Sequence, residues 1–153
     1  MSKLGVAMLA LPLSVVVMAA SWGHEHHDHR KVTGVVRERM DAMAEMARRM
    51  KSITRRVRSK EMLASVPEDA NVLKDLAAKI VPLFPAGSMQ PPTEATPAIW
   101  KDFGDFETKA KALEREAQKL ADMKVVDAKA LATQAKAVTE TCSACHERFR
   151  IKQ

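Results

Sequence analysis

Two cysteines and a histidine near the end of the chain have the residue types and the spacing to do chemistry. Cys142 and Cys145 are three residues apart, and His146 follows directly. On a helix, residues three and four positions apart share a face, so both thiols would lie together with the imidazole beside them. This arrangement suits covalent attachment of a haem through two thioethers, with His146 as an axial ligand of the iron.

Three other uses of this motif are weighed against haem attachment. A thioredoxin-like pair belongs at the start of a helix that follows a strand, where the helix lowers the thiol pKa. A zinc site would need a fourth ligand besides Cys142, Cys145 and His146. A disulfide across a three-residue step stabilises little. Haem attachment is the interpretation we favour, and these alternatives stay open.

The elements that must position the motif are predicted to be four helices. Apolar residues recur in four segments at three- and four-residue steps, the period of a helix face. In the first segment they are Val32, Val36, Met40, Met43, Ala47, Met50, Ile53 and Val57. Helix A covers about 31–58, helix B runs from Pro67 to near Pro82, helix C begins at Pro97 with Thr96 as its cap, and helix D follows Asp127.

The connections between these helices indicate the fold class. The A–B and C–D links are short, whereas the B–C link is long and rich in proline. No segment predicts a strand, and neither an internal repeat nor a second domain is evident. The pattern predicts an all-α protein, an antiparallel four-helix bundle with covalently bound haem c.

The beginning of the chain predicts export. Lys3 precedes an apolar run over residues 4–17, and small residues follow, which is the pattern of a signal peptide. An uncleaved anchor is the alternative, but the run is shorter than the roughly 20 residues that span a bilayer. We expect a signal peptide at 1–23, a histidine-rich segment at 24–30, and a cytochrome domain at 31–153 in a bacterial-type periplasm.

The segment 24–30 has a metal-binding composition. It contains His24, His26, His27 and His29 with two acids between them. Cleavage after Ser21 or Gly23 would place a histidine third in the mature chain, an arrangement that can hold Cu(II) or Ni(II) in a square plane. A solvated terminus is the favoured interpretation, and a haem-free metal-handling protein is kept as an alternative.

The charge balance limits the classes of partner. The chain has 25 basic and 19 acidic residues, a formal charge of +6. An exported basic protein would meet anionic redox proteins or membrane surfaces. No nucleic-acid module is recognisable. No nucleophile–base pair, phosphate loop or carboxylate pair suggests an enzyme.

Several motifs together resemble one family. The chain ends in CSACHERFR, its first helix reads RERMDAMAEMARRMKSI, and the segments LFPAGS and PAIWKDFGDF precede and open the third helix. This combination resembles the class II cytochromes c, which include cytochrome c' and its low-spin relatives. The resemblance covers most of the mature chain, and its haem motif is specific.

The resemblance implies roles for individual residues. The haem would lie among the four helices, with Cys142 and Cys145 as anchors and His146 as the proximal ligand. Met40 of the first helix would face the other side of the iron, and Met43 is the next candidate if the register is displaced by a turn. Arg150 and Arg37 are candidates for contacts with a propionate or the proximal side. A methionine stripe on a helix is also ordinary core packing.

Two functions follow from the state of the iron. With Met40 bound, the protein would carry single electrons between redox partner proteins. With an open distal face, it would bind a small gas such as NO, as a five-coordinate cytochrome c' does. The chain is expected to be a monomer or a homodimer, and to meet a membrane only through its export signal or a membrane-bound redox partner.

Overall fold

The chain folds into five α-helices in a computed structural model that describes residues 33–124 and 127–152. These helices are α1 (Gly34–Ser59), α2 (Val66–Ala77), α3 (Ala98–Lys101), α4 (Phe103–Ala121) and α5 (Ala128–Phe149). The long helices α1, α2, α4 and α5 pack against one another as the predicted four-helix bundle. The predicted signal peptide, the predicted histidine-rich segment and residues 125–126 lie outside the described residues.

Helix α1 presents to the bundle largely the side that apolar spacing predicted, since Val36 and Ile53 are buried and Met43, Met50 and Val57 pack against the core. Its buried residues are Val36, Arg39, Ala42, Met46 and Ile53. Ala47 was expected on this face but is exposed. The buried face also includes Arg39, Ala42 and Met46, which the apolar pattern did not include.

A buried carboxylate joins α1 to α2. Asp69 lies in the first turn of α2 and is buried. It accepts hydrogen bonds from Arg49, over 2.9 Å, and from Arg56, and both arginines belong to α1. A buried charge needs such partners to be tolerated, so Asp69 fixes how these two helices meet.

The predicted third helix is divided into α3 and α4. Asp102 leaves the helical conformation, with φ −138° and ψ 62°, and its side chain accepts a hydrogen bond of 3.3 Å from the backbone N–H of Asp105. An aspartate side chain competes well for backbone groups and favours helix starts over helix interiors. The expected cap, Thr96, caps neither piece, since α3 follows Pro97. Asp127 caps α5 as predicted, accepting from Ala130 N–H over 2.8 Å.

An aromatic cluster holds the end of the bundle where the long α2–α3 link lies. The ring of Phe106 is 4.8 Å from that of Phe84, 5.7 Å from that of Phe103 and 5.5 Å from that of Phe149. Phe103, expected in the core, is 38% exposed. Helices α4 and α5 and the link are thereby packed together at this end. Among the described residues, no helix is long and apolar enough to cross a membrane.

Candidate functional site

The haem motif lies on the last turns of α5, in line with the residues that α5 buries. Leu131, Ala135, Val138 and Phe149 are buried on this helix. Cys142 and Cys145 continue the same face between Val138 and Phe149, and both pack partly buried against the core. The two thiols therefore share one side of α5, as their spacing predicted.

The turns that carry the cysteines are less covered than the rest of α5. Between Thr139 and Arg148 no residue is fully buried, although the helix is buried on both sides of this stretch. The core-facing side of α5 is thus only half covered by protein atoms at Cys142 and Cys145. A flat apolar group placed over Cys142 and Cys145 would complete the burial, which is what a covalently attached porphyrin does.

The thiols themselves are free and protonated. Cys142 and Cys145 form no disulfide. Burial raises the pKa of Cys142, and burial, Cys142 and Asp105 raise the pKa of Cys145 to about 11, against a smaller opposing effect of Lys109. A reactive redox pair needs the opposite shift, so these cysteines do not have the chemistry of a thioredoxin-like site.

The imidazole of His146 is suited to bind a metal. Partial burial of the ring, with the positive charge of Arg150 nearby, lowers its pKa, and Glu94 opposes this less strongly. The ring is therefore neutral near pH 7, the form whose nitrogen can bind iron. His146 lies at the solvent-facing edge of α5, where its ring is only partly covered, and it directly follows Cys145 in sequence.

No other group of potential ligands accompanies the motif. Within residues 33–124 and 127–152, no three or more His, Cys, Asp and Glu side chains lie together so as to hold a metal ion. The donor set at the end of α5 is two thiols and one imidazole. Two thiols for the vinyl groups and one imidazole for the iron are what haem c requires, and the residues present fit that group.

The long link between α2 and α3 brings the two ends of the chain's helical part together. Residues 83–93 of the link bind α1 through Arg39. Further along, Thr96 N–H donates to Phe149 O over 2.9 Å, and Ile151 N–H donates to Glu94 O over 2.8 Å. The first turns of α1 therefore meet the same link as the last turn of α5, where His146 lies.

Arg39 is the residue of this region that sequence reasoning missed. Its guanidinium is almost fully enclosed, with 4% exposure, and lies 4.0 Å from the centre of the Phe84 ring. It donates to Leu83 O, Ser88 O, Ser88 Oγ and Thr93 Oγ1 at 2.7–3.2 Å. Burial lowers its pKa. A signal existed in the sequence, because Arg39 stands three residues after Val36 on the buried face.

Two methionines of α1 are candidates for the other side of the cofactor. Met40 and Met43 are both half-buried. Met43 packs against the buried core together with Met50, whereas Met40 lies outside that packing. Successive residues of a helix are turned by about 100° around its axis. Met43 therefore points in nearly the same direction as the buried Arg39 and Met46, whereas Met40 lies toward the rim of the buried face.

The two arginines expected to contact a haem propionate both have carboxylate partners. Arg37 is on the exposed side of α1, with its Nε 2.8 Å from Asp41 Oδ2. The Nε of Arg150 is 2.7 Å from Glu94 Oε2. The charge of Arg150 acts on His146, while Arg37 is in an exposed i, i+4 pair.

An open apolar cavity of about 530 Å³ lies next to the aromatic cluster. Its walls are Val81, Pro82, Phe84, Pro85, Ala86, Trp100 and Phe103. Trp100 Nε1–H donates to Phe84 O over 3.2 Å and to Pro85 O over 3.1 Å, which holds the rim of the link in place. Cys142, Cys145 and His146 do not line this cavity.

Comparisons with known proteins agree with this geometry. The family model described as Cytochrome C' matches residues 34–150. Cytochrome c-554 of Cereibacter sphaeroides is 30% identical over 158 residues, covering 96% of this chain and 97% of that protein. Cytochrome c-556 of Agrobacterium fabrum is 36% identical over 70 residues, and this match spans only 46% of the chain and 47% of the relative.

Solved structures show the same fold. A variant of cytochrome c' from Rhodopseudomonas palustris has a TM-score of 0.72 and 26% identity, covering 79% of this chain and all of that one. A nitric oxide complex of a variant of cytochrome c prime from Alcaligenes xylosoxidans has a TM-score of 0.70 and 28% identity, covering 77% and 94%. The chain belongs to the cytochrome c' family and is a cytochrome with covalently bound haem c.

Proposed function

We propose that the protein carries single electrons on a haem c anchored by Cys142 and Cys145, with His146 as the proximal iron ligand. The observation that supports this most is the free, half-covered cysteine pair on the buried face of α5, with a neutral imidazole beside it. When bound, the group supplies an iron that changes oxidation state by one electron. The chain holds it, excludes water from it and tunes its potential.

The distal ligand in this proposal is a methionine of α1. A thioether bound opposite a histidine raises the potential of haem iron, as in electron-carrying cytochromes c. Met40 was expected from the sequence register. The packing of α1 favours Met43, because Met43 contacts the core and Met40 does not. Met43 would reach inward from the end of α1 that meets the same link as the last turn of α5.

Binding of a small gas is the second candidate function. It is favoured by one observation, that a cytochrome c prime 28% identical to this chain forms a nitric oxide complex in a variant form. Gas binding needs an open distal face on the iron. The two functions therefore differ in whether Met40 or Met43 is bound to iron.

Absorption spectra of three proteins distinguish these functions. We expect the unaltered ferrous protein to be low-spin without added ligand. Met43→Leu should convert it to a high-spin form that binds NO rapidly, while Met40→Leu should leave the spectrum unchanged. The reverse pattern would assign the ligand to Met40. A high-spin spectrum in the unaltered protein would reject electron transfer through a His/Met haem and favour gas binding.

We also propose where the protein acts and which partners it meets. The predicted signal peptide at 1–23 supports export to the periplasm, where haem c is attached. Partners would be redox proteins with anionic surfaces, since the chain has a formal charge of +6. Arg150 could contact a propionate once its pair with Glu94 is exchanged. No catalytic residue is assigned.

Substitution of the two cysteines tests whether they attach the haem covalently. Cys142→Ala and Cys145→Ala should each leave one thioether, and the double variant should carry no covalent haem after denaturation. Ser143→Ala, in the same turn, is the matched control and should retain the full amount. Covalent haem in the double variant would contradict the assignment.

A further inference from the structure

The exposed side of α1 carries a row of cations, the α1 basic stripe, formed by Arg48, Lys51, Arg55 and Arg58. Their spacing of three, four and three residues places them on one face of the helix. All four are exposed. At 1.5 Å per residue the row is about 15 Å long. It forms no part of the proposed haem site.

The stripe is poorly neutralised. No acid occurs between Glu45 and Glu61, while this segment holds Arg48, Arg49, Lys51, Arg55, Arg56, Arg58 and Lys60. The nearest buried acid, Asp69, is engaged by Arg49 and Arg56. Arg48 pairs with Glu45. Among the described residues, Lys51, Arg55 and Arg58 form no ion pair.

The position of the stripe argues against docking of an electron-transfer partner there. Its members occupy the half of α1 that is remote from Met40 and Met43. From Met43 to Arg55 the helix rises about 18 Å. Electron transfer slows steeply with distance, so a redox partner is better placed near the haem end. This step rests on the proposed position of the haem.

The chemistry of the stripe suits a planar anionic surface. Stable protein interfaces have an apolar or aromatic centre, but the uncharged polar residues between these cations are Ser52 and Thr54, and no apolar residue between them is exposed. Met62 lies three residues beyond the last residue of α1 and is 69% exposed, an apolar side chain close in sequence to the row. A row of cations with one exposed apolar side chain close in sequence is a combination that binds lipid headgroups.

We infer that the α1 basic stripe binds the anionic headgroups of a membrane surface and leaves the haem end free for redox partners. Binding would be electrostatic and reversible, without insertion of a helix. Each cation near an anionic surface contributes a similar increment, so removing two should weaken binding by about 30-fold. Salt should weaken it too, because the Debye length falls from about 30 Å at 0.01 M to about 8 Å at 0.15 M.

Sedimentation with vesicles tests this inference on the purified holoprotein. The probes are vesicles of phosphatidylcholine alone and vesicles that also contain phosphatidylglycerol. The test variant is Arg55→Gln/Arg58→Gln. The control, Lys111→Gln/Lys119→Gln, removes the same charge from exposed lysines of α4 that pair with Glu107 and Glu116. All three proteins share the same N-terminus, so its contribution cancels in the comparison.

We expect binding only to the vesicles with phosphatidylglycerol, an approximately 30-fold loss in the stripe variant, and a small loss in the control. Equal losses in both variants would overturn the inference, because net charge would then explain the binding. No binding to vesicles at low salt would also overturn the inference. So would a stripe variant that binds vesicles normally but is reduced more slowly by an acidic donor protein, because the stripe would then be a docking site for a redox partner. Haem content, measured separately, reports on the proposed function independently.

Discussion

Replacement of Arg39 by methionine tests whether the link between α2 and α3 is held to α1 by this one side chain. Arg39 is 4% exposed and donates to three residues of the link, Leu83, Ser88 and Thr93. Methionine has a similar length and fills the space beside Phe84, so the change removes the donors with little loss of volume. The expected result is a loosened link in a folded bundle.

The magnitude follows from the acceptors left behind. Without Arg39, the carbonyls of Leu83 and Ser88 lose their donor, at about 1–3 kcal/mol for each group that stays buried. Removing a buried cation that forms no ion pair within residues 33–124 and 127–152 offsets part of this loss, since the guanidinium no longer has to be desolvated. We expect a net destabilisation of about 3 kcal/mol, a fall in Tm of about 10 °C for a domain of this size.

Thermal and urea unfolding of the holoprotein, followed by circular dichroism, measures this loss. Arg115→Met makes the same chemical change on the exposed side of α4, where surface substitutions cost less than about 0.5 kcal/mol. Limited proteolysis should cut the Arg39 variant within residues 83–93 before it cuts the helices. Equal Tm values for the two variants, with no new cleavage in the link, would refute the role given to Arg39.

Three further predictions concern the charges and thiols around the bundle. Asp69→Asn should destabilise the protein by about 3 kcal/mol in urea unfolding, because it removes the buried carboxylate that pairs with Arg49 and with the largely covered Arg56. The exposed Asp75→Asn should cost less than about 0.5 kcal/mol, and similar losses would contradict this. In haem-free protein, the lowered pKa of His146 means that folding favours the neutral ring. Its contribution to stability is full above the unfolded pKa of about 6.5 and is lost as pH falls through the folded value. The decline in unfolding free energy between neutral and acid pH should therefore be smaller in His146→Gln. An unchanged decline would count against the lowered pKa of His146. Before haem attachment, Cys145, with a pKa of about 11, should react with iodoacetamide about 100-fold more slowly at pH 8 than an ordinary thiol, and rapid reaction would show an exposed thiolate.

Local rules predicted the features of this fold that depend on neighbours in sequence. The helical period, the cap at Asp127 and the shared face of Cys142 and Cys145 all follow from spacing and side-chain type. These features involve residues within a turn or two of each other, where helix geometry fixes the outcome. The four-helix bundle follows because each amphipathic helix must bury one face.

Features that depend on distant partners were not predictable in the same way. Apolar spacing put Ala47 on the buried face of α1, whereas the structure buries Arg39 there through acceptors 44–54 residues away. The break at Asp102 also has a tertiary component, because Arg148 of α5 pairs with this residue over 2.5 Å. A single sequence gives no register between such partners. The preference for Met43 over Met40 is a proposal that rests on the packing of α1.

The most direct test of the account is to locate the haem on the chain. Protein produced in a periplasm with a haem c attachment system should be digested, and its haem-bearing peptides identified by mass spectrometry. One peptide, containing Cys142, Cys145 and His146, should carry a single haem through both sulfurs, and the pyridine haemochrome assay should give one haem c per chain. A peptide recovered with two free thiols, from protein without covalent haem, would contradict the central claim.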